Sequence, residues 1–250
     1  MASKNVVLLC ATALVTLAGP AFAADMPQPV PQYVGGWYLR GDIGWSSQAI
    51  GSLTNPLDST ADTLTTVSKN FSSAGIFGGG IGYQFNDWFR TDLTGEYRGP
   101  STFHGLQIYS TGGEEGTDEY TATKSEWLFL ANAYVDLGNW RGIVPFVGGG
   151  IGASRNTISG FTDVNTPNLG VAYGGTASTW QFAWALTAGL GYQISPNTTI
   201  EVAYRYLDLG KAMSGDLVTY DGSGPNTNNP SSFNHLTSQD VKFSIRYKFN

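Results

Sequence analysis

Residues Trp180 to Ile194 read WQFAWALTAGLGYQI. Trp180, Phe182, Trp184, Leu186, Leu190, Tyr192 and Ile194 take alternate positions. Gln181, Ala183, Ala185, Thr187, Gly189, Gly191 and Gln193 fill the gaps. A period of two sends these sets to opposite faces of a strand. One face is crowded with rings and aliphatics, and the other is nearly bare. A helix does not sort such a pattern.

The alternation recurs. In WYLRGDIGWS, Trp37, Leu39, Gly41, Ile43 and Trp45 oppose Tyr38, Arg40, Asp42, Gly44 and Ser46. FSSAGIFGGGIGYQF sets Phe71, Phe77, Ile81, Tyr83 and Phe85 against Ser72, Ala74, Gly78, Gly80, Gly82 and Gln84. FRTDLTGEYR, EWLFLANAYVDL, PFVGGGIG, TIEVAYRYL and DVKFSIRYKF follow the same rule. Eight segments of about ten residues result, the length of a tilted strand that crosses a bilayer. Asn86–Asp87, Gly138–Gly142 and Ser195–Asn197 read as tight turns, while 48–69, 100–123, 156–179 and 211–236 read as long polar loops. That is the layout of an all-β, eight-stranded antiparallel transmembrane barrel, with short periplasmic turns and four long extracellular loops.

Volume decides which face looks outward. A soluble barrel would put its apolar face inside. An eight-stranded interior is only just wide enough for side chains to fill. Trp37, Trp45, Trp127, Trp180 and Trp184, with many Phe and Tyr, would overfill it. The apolar face therefore points to lipid. Trp37, Tyr83, Phe85, Phe89, Tyr192 and Phe249 then form a girdle near the short turns, and Trp45, Phe71, Trp127 and Trp180 form one near the loops.

The inward charges follow from the same assignment. Arg40, Arg90, Arg98, Arg205, Lys242, Arg246 and Lys248 oppose Asp42, Asp92, Glu96, Glu126, Asp136, Glu201 and Asp240 in equal numbers. A balanced set in a narrow lumen points to a cross-linked plug, whereas a ring of one sign would point to a selective pore.

The ends and the overall charge bound the rest. Lys4, an apolar run from Val6 to Leu17 and Ala21-Phe22-Ala23 form an export signal, residues 1–23, with cleavage between Ala23 and Ala24. The run is too short to span a bilayer. The one Cys, Cys10, leaves with it, so the mature chain has no disulfide framework and no Cys-based metal site. Residues 24–35, with Pro27, Pro29 and Pro31, read as an extended periplasmic leader, and 36–250 as the barrel. The chain has 13 basic and 19 acidic residues, which argues against nucleic acid as a partner.

Several of these segments together carry a resemblance. GWYLRGDIGWS, the related GGGIGYQF and AGLGYQI, EYRG, VAYRYLDLG and the closing FSIRYKF resemble the alphaproteobacterial outer-membrane surface-antigen barrels. That family includes major outer-membrane proteins and haemin-binding relatives, and shares its fold with OmpA-type barrels. The resemblance covers about residues 35–249. It implies a structural and surface role in a Gram-negative outer membrane. Expected partners are outer-membrane lipids and lipopolysaccharide, the barrel assembly machinery, and ligands on host or environmental surfaces. Barrels of this kind end in an aromatic residue that the assembly machinery recognises. Here Tyr247 and Phe249 keep the pattern, and Asn250 follows.

Other chemistry is weaker. Gly148-x-Gly150-x-x-Ala153 fits a dinucleotide-binding pattern, but no helical periodicity follows to present its N–H groups to phosphate. The glycines instead leave lumenal space for side chains from other strands. The two histidines, His104 and His235, stand in or beside loops. They are candidates for haem, with Tyr109 and Tyr120, but without diagnostic spacing. Glu114, Glu115, Asp118 and Glu119 lack EF-hand spacing and read as a solvated acidic loop. The expectation is a non-enzymatic envelope protein without cofactor or metal. A small channel or a haemin-binding receptor is the alternative.

Overall fold

Alternation of this kind closes into a ring when each strand finds a partner on both edges. In the computed structural model, which describes residues 35–220 and 229–249, eight strands do so. They are β1 (Gly36–Thr54), β3 (Ala74–Gln84), β4 (Phe89–Thr111), β5 (Glu114–Asp136), β6 (Ile143–Asn165), β8 (Ala177–Gln193), β9 (Thr198–Met213) and β11 (Ser232–Lys248). Every neighbouring pair is antiparallel, and β11 returns to β1, so no strand in the ring is left with an open edge at its base. The signal, the Ala23–Ala24 cleavage point, the leader up to residue 34 and Asn250 lie outside the described residues.

The short connections are tight for local reasons. Asn86 Oδ1 accepts from the backbone N–H groups of Trp88 and Phe89, at 3.0 and 2.7 Å. Asn139 does the same for Gly142 at 2.8 Å, and Arg141 and Gly142 both take positive φ there. Asx turns of this sort let the chain reverse within a few residues.

The opposite end departs from the sequence reading. The long connections are present, but largely as β-ribbon rather than irregular polar loop. β4 and β5 run 23 residues each and meet at Gly112–Gly113, both at positive φ. This is the two-residue hairpin geometry that glycine pairs favour. β2 (Thr63–Phe71) pairs with β4 above the point where β3 stops, and β7 (Gly170–Gly174) and β10 (Leu217–Thr219) extend the wall beyond β6.

Phe71 corrects a second expectation. The strand breaks at Ser72–Ser73, so Phe71 belongs to β2 and not to the outward row of Phe77. Its ring lies 5.0 Å from that of Phe103 and 6.3 Å from that of Phe233, both of which are inside. The ribbons enclose a core containing Ile50, Phe103, Ile158, Phe161, Leu209 and Phe233. Phe103 and Phe161 meet Phe233 edge-on at 5.0 and 6.0 Å. Leu128, Leu130 and Leu207 point inward beneath them. The wall is thus inside out along its length: apolar outside and polar inside near the short turns, and apolar inside at the ribbon end.

Candidate functional site

The lumen at the short-turn end is where the charged residues converge. Inward alternation on β1, β4, β5, β9 and β11 brings their chemistry into one column. At its base, Arg246 pairs with Glu201 at 3.1 Å. Arg90 pairs with Asp136 at 3.1 Å and with Glu201 at 3.3 Å. The Arg90 guanidinium lies 4.3 Å from the Tyr134 ring centroid and 4.7 Å from that of Phe146, so rings as well as carboxylates hold it. Arg40 reaches Asp42 at 2.8 Å, Asp92 at 2.9 Å and Glu201 at 3.8 Å. Tyr38 donates to Asp92 at 3.1 Å.

The column continues without a gap. Lys242 bridges Asp42, at 3.6 Å, and Glu96. Arg205 donates to both oxygens of Glu96, at 2.9 and 2.6 Å, and reaches Asp240 at 2.8 Å. Asp240 accepts from both terminal nitrogens of Arg98, at 2.7 and 2.9 Å. Arg98 pairs with Glu126, and Glu126 with Lys124. Fork-to-fork guanidinium–carboxylate pairs of this kind are the strongest charge-assisted bonds available to side chains.

Thirteen of the fourteen charges expected in the lumen join this network. Lys248 lies at the turn-end rim, half-buried, and Lys124 joins the column at its other end. Sequence reading missed Lys124 because 100–123 looked like loop. Extending the alternation of β5 by one step, from Glu126 to Lys124, would have found it.

Glycines make the column possible. A Cβ on Gly82 would overlap the Tyr38 ring, one on Gly148 the Tyr134 ring, and one on Gly150 the amide of Asn132. Gly78 faces Glu96, and Gly189 faces Phe146. Little space remains: a void lined by Arg40, Thr94, Asn132, Tyr134, Phe146 and Arg205 measures about 10 Å³. That is room for one water at most. The Gly148–Ala153 stretch lies within β6 with no helix after it, so it forms no phosphate cradle.

The remaining candidates are spread out. His104 is exposed on β4 and His235 on β11, with β2 and β1 between them, so the two imidazoles do not face one ligand. His235 lies 3.8 Å from Asp208. Tyr109 accepts from Asn165 and Asn168, and Tyr120 donates to Gln107. Among the described residues no cluster of His, Cys, Asp and Glu is arranged to hold a metal.

A cavity of about 490 Å³ opens at the ribbon end, with Asp58, Asp118, Asp163, Tyr109 and Tyr120 in its wall. Burial, reinforced by the Asp118 and Asp58 charges, pushes the Asp163 carboxyl up to about 7. Burial also raises Asp118.

Outside, rings band both ends. At the turn end, Trp37 meets Tyr83 edge-on at 5.3 Å, Phe85 lies 5.0 Å from Tyr83, and Tyr247 lies 5.6 Å from Phe249. At the ribbon end, Tyr97, Trp127, Phe129 and Trp180 form a connected row at 5.1, 6.4 and 6.2 Å. Phe182, Leu93 and Ile151, 66, 63 and 60% exposed, lie between the bands. A continuous exposed apolar belt of this kind marks a surface that meets membrane rather than water.

The model of the outer membrane protein beta-barrel domain matches residues 9–249. An uncharacterized protein of Brucella abortus is 30% identical over 281 residues, covering 97% of each chain. A putative adhesin of Rickettsia felis is 26% identical, covering 97% of this chain and all of its own. Neisserial surface protein A, a crystal structure, is 15% identical with a TM-score of 0.47. It covers 87% of this chain and all of its own. With the family model spanning the ring and its two aromatic bands, this chain belongs to the outer-membrane protein β-barrel family and resides in the bacterial outer membrane.

Proposed function

We propose that this protein is a closed structural barrel, without catalytic activity, that supports envelope integrity and makes surface contacts through its extracellular ribbons. The observation that carries this is the double seal of the axis. A continuous ion network fills the periplasmic part, and an apolar core fills the extracellular part. A conducting path would need water through both. Catalysis would need a nucleophile beside a base, and the two histidines stand apart on exposed strand faces. The likeness to a putative adhesin supports a surface-contact role for the rigid ribbons.

A deletion strain tests the two halves of this proposal together. The expected outcome is greater entry of large hydrophobic dyes and weaker attachment to host or environmental surfaces, with small-solute uptake unchanged. Restoration of both traits by a chain trimmed back to short loops would remove the ribbons from the account.

A further inference from the structure

At girdle level the outward row of β6 carries a cation. Arg155 on β6 is exposed, and no carboxylate among the described residues pairs with it. Its cross-strand neighbours are Trp127 on β5 and Trp180 on β8. Directly opposite residues on antiparallel strands hold their Cβ atoms about 5 Å apart. Arg155 therefore stands between two tryptophans across the strands, and Phe129 stacks against each of them.

The next outward row toward the extracellular end consists of hydroxyls: Ser125, Thr157 and Ser178 stand opposite one another, with Thr157 and Ser178 hydrogen-bonded at 2.9 Å. Toward the membrane centre the row changes to small and apolar. Ala131, Ala133 and Gly149 floor a trough of about 970 Å³, walled by Ile151, Trp184 and Leu186 on one side and by Leu93 and Ile81 on the other, and running on to Trp37 and Tyr83 at the turn end. The trough begins four residues below Arg155 on the same strand face, about 13 Å away at strand rise.

This order matches one kind of molecule. Reading inward from the cell surface, it offers hydroxyl donors, a planar cation with bidentate geometry, aromatic rings and an apolar trough. A guanidinium suits a phosphate monoester, to which it can donate two parallel hydrogen bonds. Indoles settle at the headgroup boundary, and a smooth trough suits an acyl chain. We propose that Arg155, with Trp127, Trp180 and the Ser125–Thr157–Ser178 hydroxyls, binds the phosphate of an outer-leaflet glycolipid, one of whose acyl chains lies in the trough. The barrel then carries a specific lipid on its β5–β6–β8 face. This is independent of what its ribbons contact.

The test uses the full mature chain in phosphatidylcholine nanodiscs, with bound lipid counted by native mass spectrometry. The probes are a bis-phosphorylated glycolipid, the same glycolipid without its phosphates, and phosphatidylglycerol. The native chain is expected to retain the phosphorylated form at least tenfold over the other two. Arg155→Gln should abolish that preference and Arg155→Lys should keep part of it. Gly149→Leu fills the trough from a position where an added Cβ meets only ordinary contacts, at 3.6 and 3.8 Å. It should weaken retention while leaving the preference for phosphate. Each variant is first checked for barrel formation by circular dichroism. Equal retention of the phosphorylated and dephosphorylated glycolipid by the native chain would overturn the proposal, as would an unchanged preference in Arg155→Gln. Equal retention of phosphatidylglycerol would overturn the assignment to the outer leaflet. Displacement by inorganic phosphate alone at millimolar concentration would reduce the site to a simple anion site.

Discussion

Gly148 and Gly149 are chain neighbours with opposite surroundings. A Cβ on Gly148 would run into the Tyr134 ring and the Ala133 carbonyl, whereas one on Gly149 would meet only van der Waals contacts. Gly148→Ala should therefore destabilise the barrel by about 1–3 kcal/mol through overpacking, and Gly149→Ala should be close to neutral. Urea titrations of the two variants in detergent check this. A common midpoint would contradict the lumenal account of the glycine stripe. Glu96 is a second discriminating residue. It holds Arg205 and Lys242 at once, and neither cation has room to reach water. Removing one partner of a buried pair strands the other charge, so Glu96→Ala should lose about 3–5 kcal/mol by the same assay. Residue-scale meaning was legible wherever alternation fixed a face. It predicted the inward glycines and thirteen of the network charges. It did not predict which charges pair, because that depends on ring closure and on the vertical stagger between strands.

At the scale of elements, the ribbons are where sequence reading fell short. The stretches 100–123 and 156–179 are polar on their outer face and apolar within, which dilutes the hydrophobic signal along the chain. Phe103, Ile158 and Phe161 alternate with Thr, Ser and His, and Gly112–Gly113 sits where a two-residue hairpin belongs. Those features are present in the sequence, but composition outweighs them. The ribbon core has its own prediction. Phe233 touches Phe71, Phe103 and Phe161, so Phe233→Ala should cost about 3–5 kcal/mol. It should also open the ribbons to protease while leaving the membrane-embedded strands protected. The cavity beside that core responds to pH. Asp163 has its carboxyl raised to about 7 in the fold, against an ordinary value near 3.9 when unfolded. The folded ribbons hold the proton more tightly than the unfolded ones. Their stability is thus highest below about pH 4, falls as pH rises to about 7, and is level above that. Protection of the β6 and β7 amides, measured against their intrinsic exchange rates, should fall between about pH 5 and 7.5, and Asp163→Asn should flatten that fall. An unchanged slope in that variant would assign the effect to other groups.

The molecule as a whole is a barrel with two different interiors stacked end to end. Near the periplasm, where lipid surrounds the wall, polar side chains fill the lumen because the apolar ones face outward. Beyond the membrane the ribbons stand in water, so their apolar side chains turn inward, as in a soluble barrel. The change of solvent favours the switch, and bulges in the backbone make it: register shifts between Arg98 and Ser101 on β4 and between Phe233 and Thr237 on β11 move the inward positions, from Arg98 to Ser101 and Phe103 on β4. Side chains close the axis in both interiors, with the open cavity confined to the ribbon end, which is the central claim about what this protein does. Purified protein reconstituted in a planar lipid bilayer tests it most directly. The account predicts a baseline indistinguishable from protein-free bilayers at physiological salt, for the native chain at any holding voltage that the bilayer withstands. Steady, voltage-independent single-channel currents from the folded native chain would contradict it.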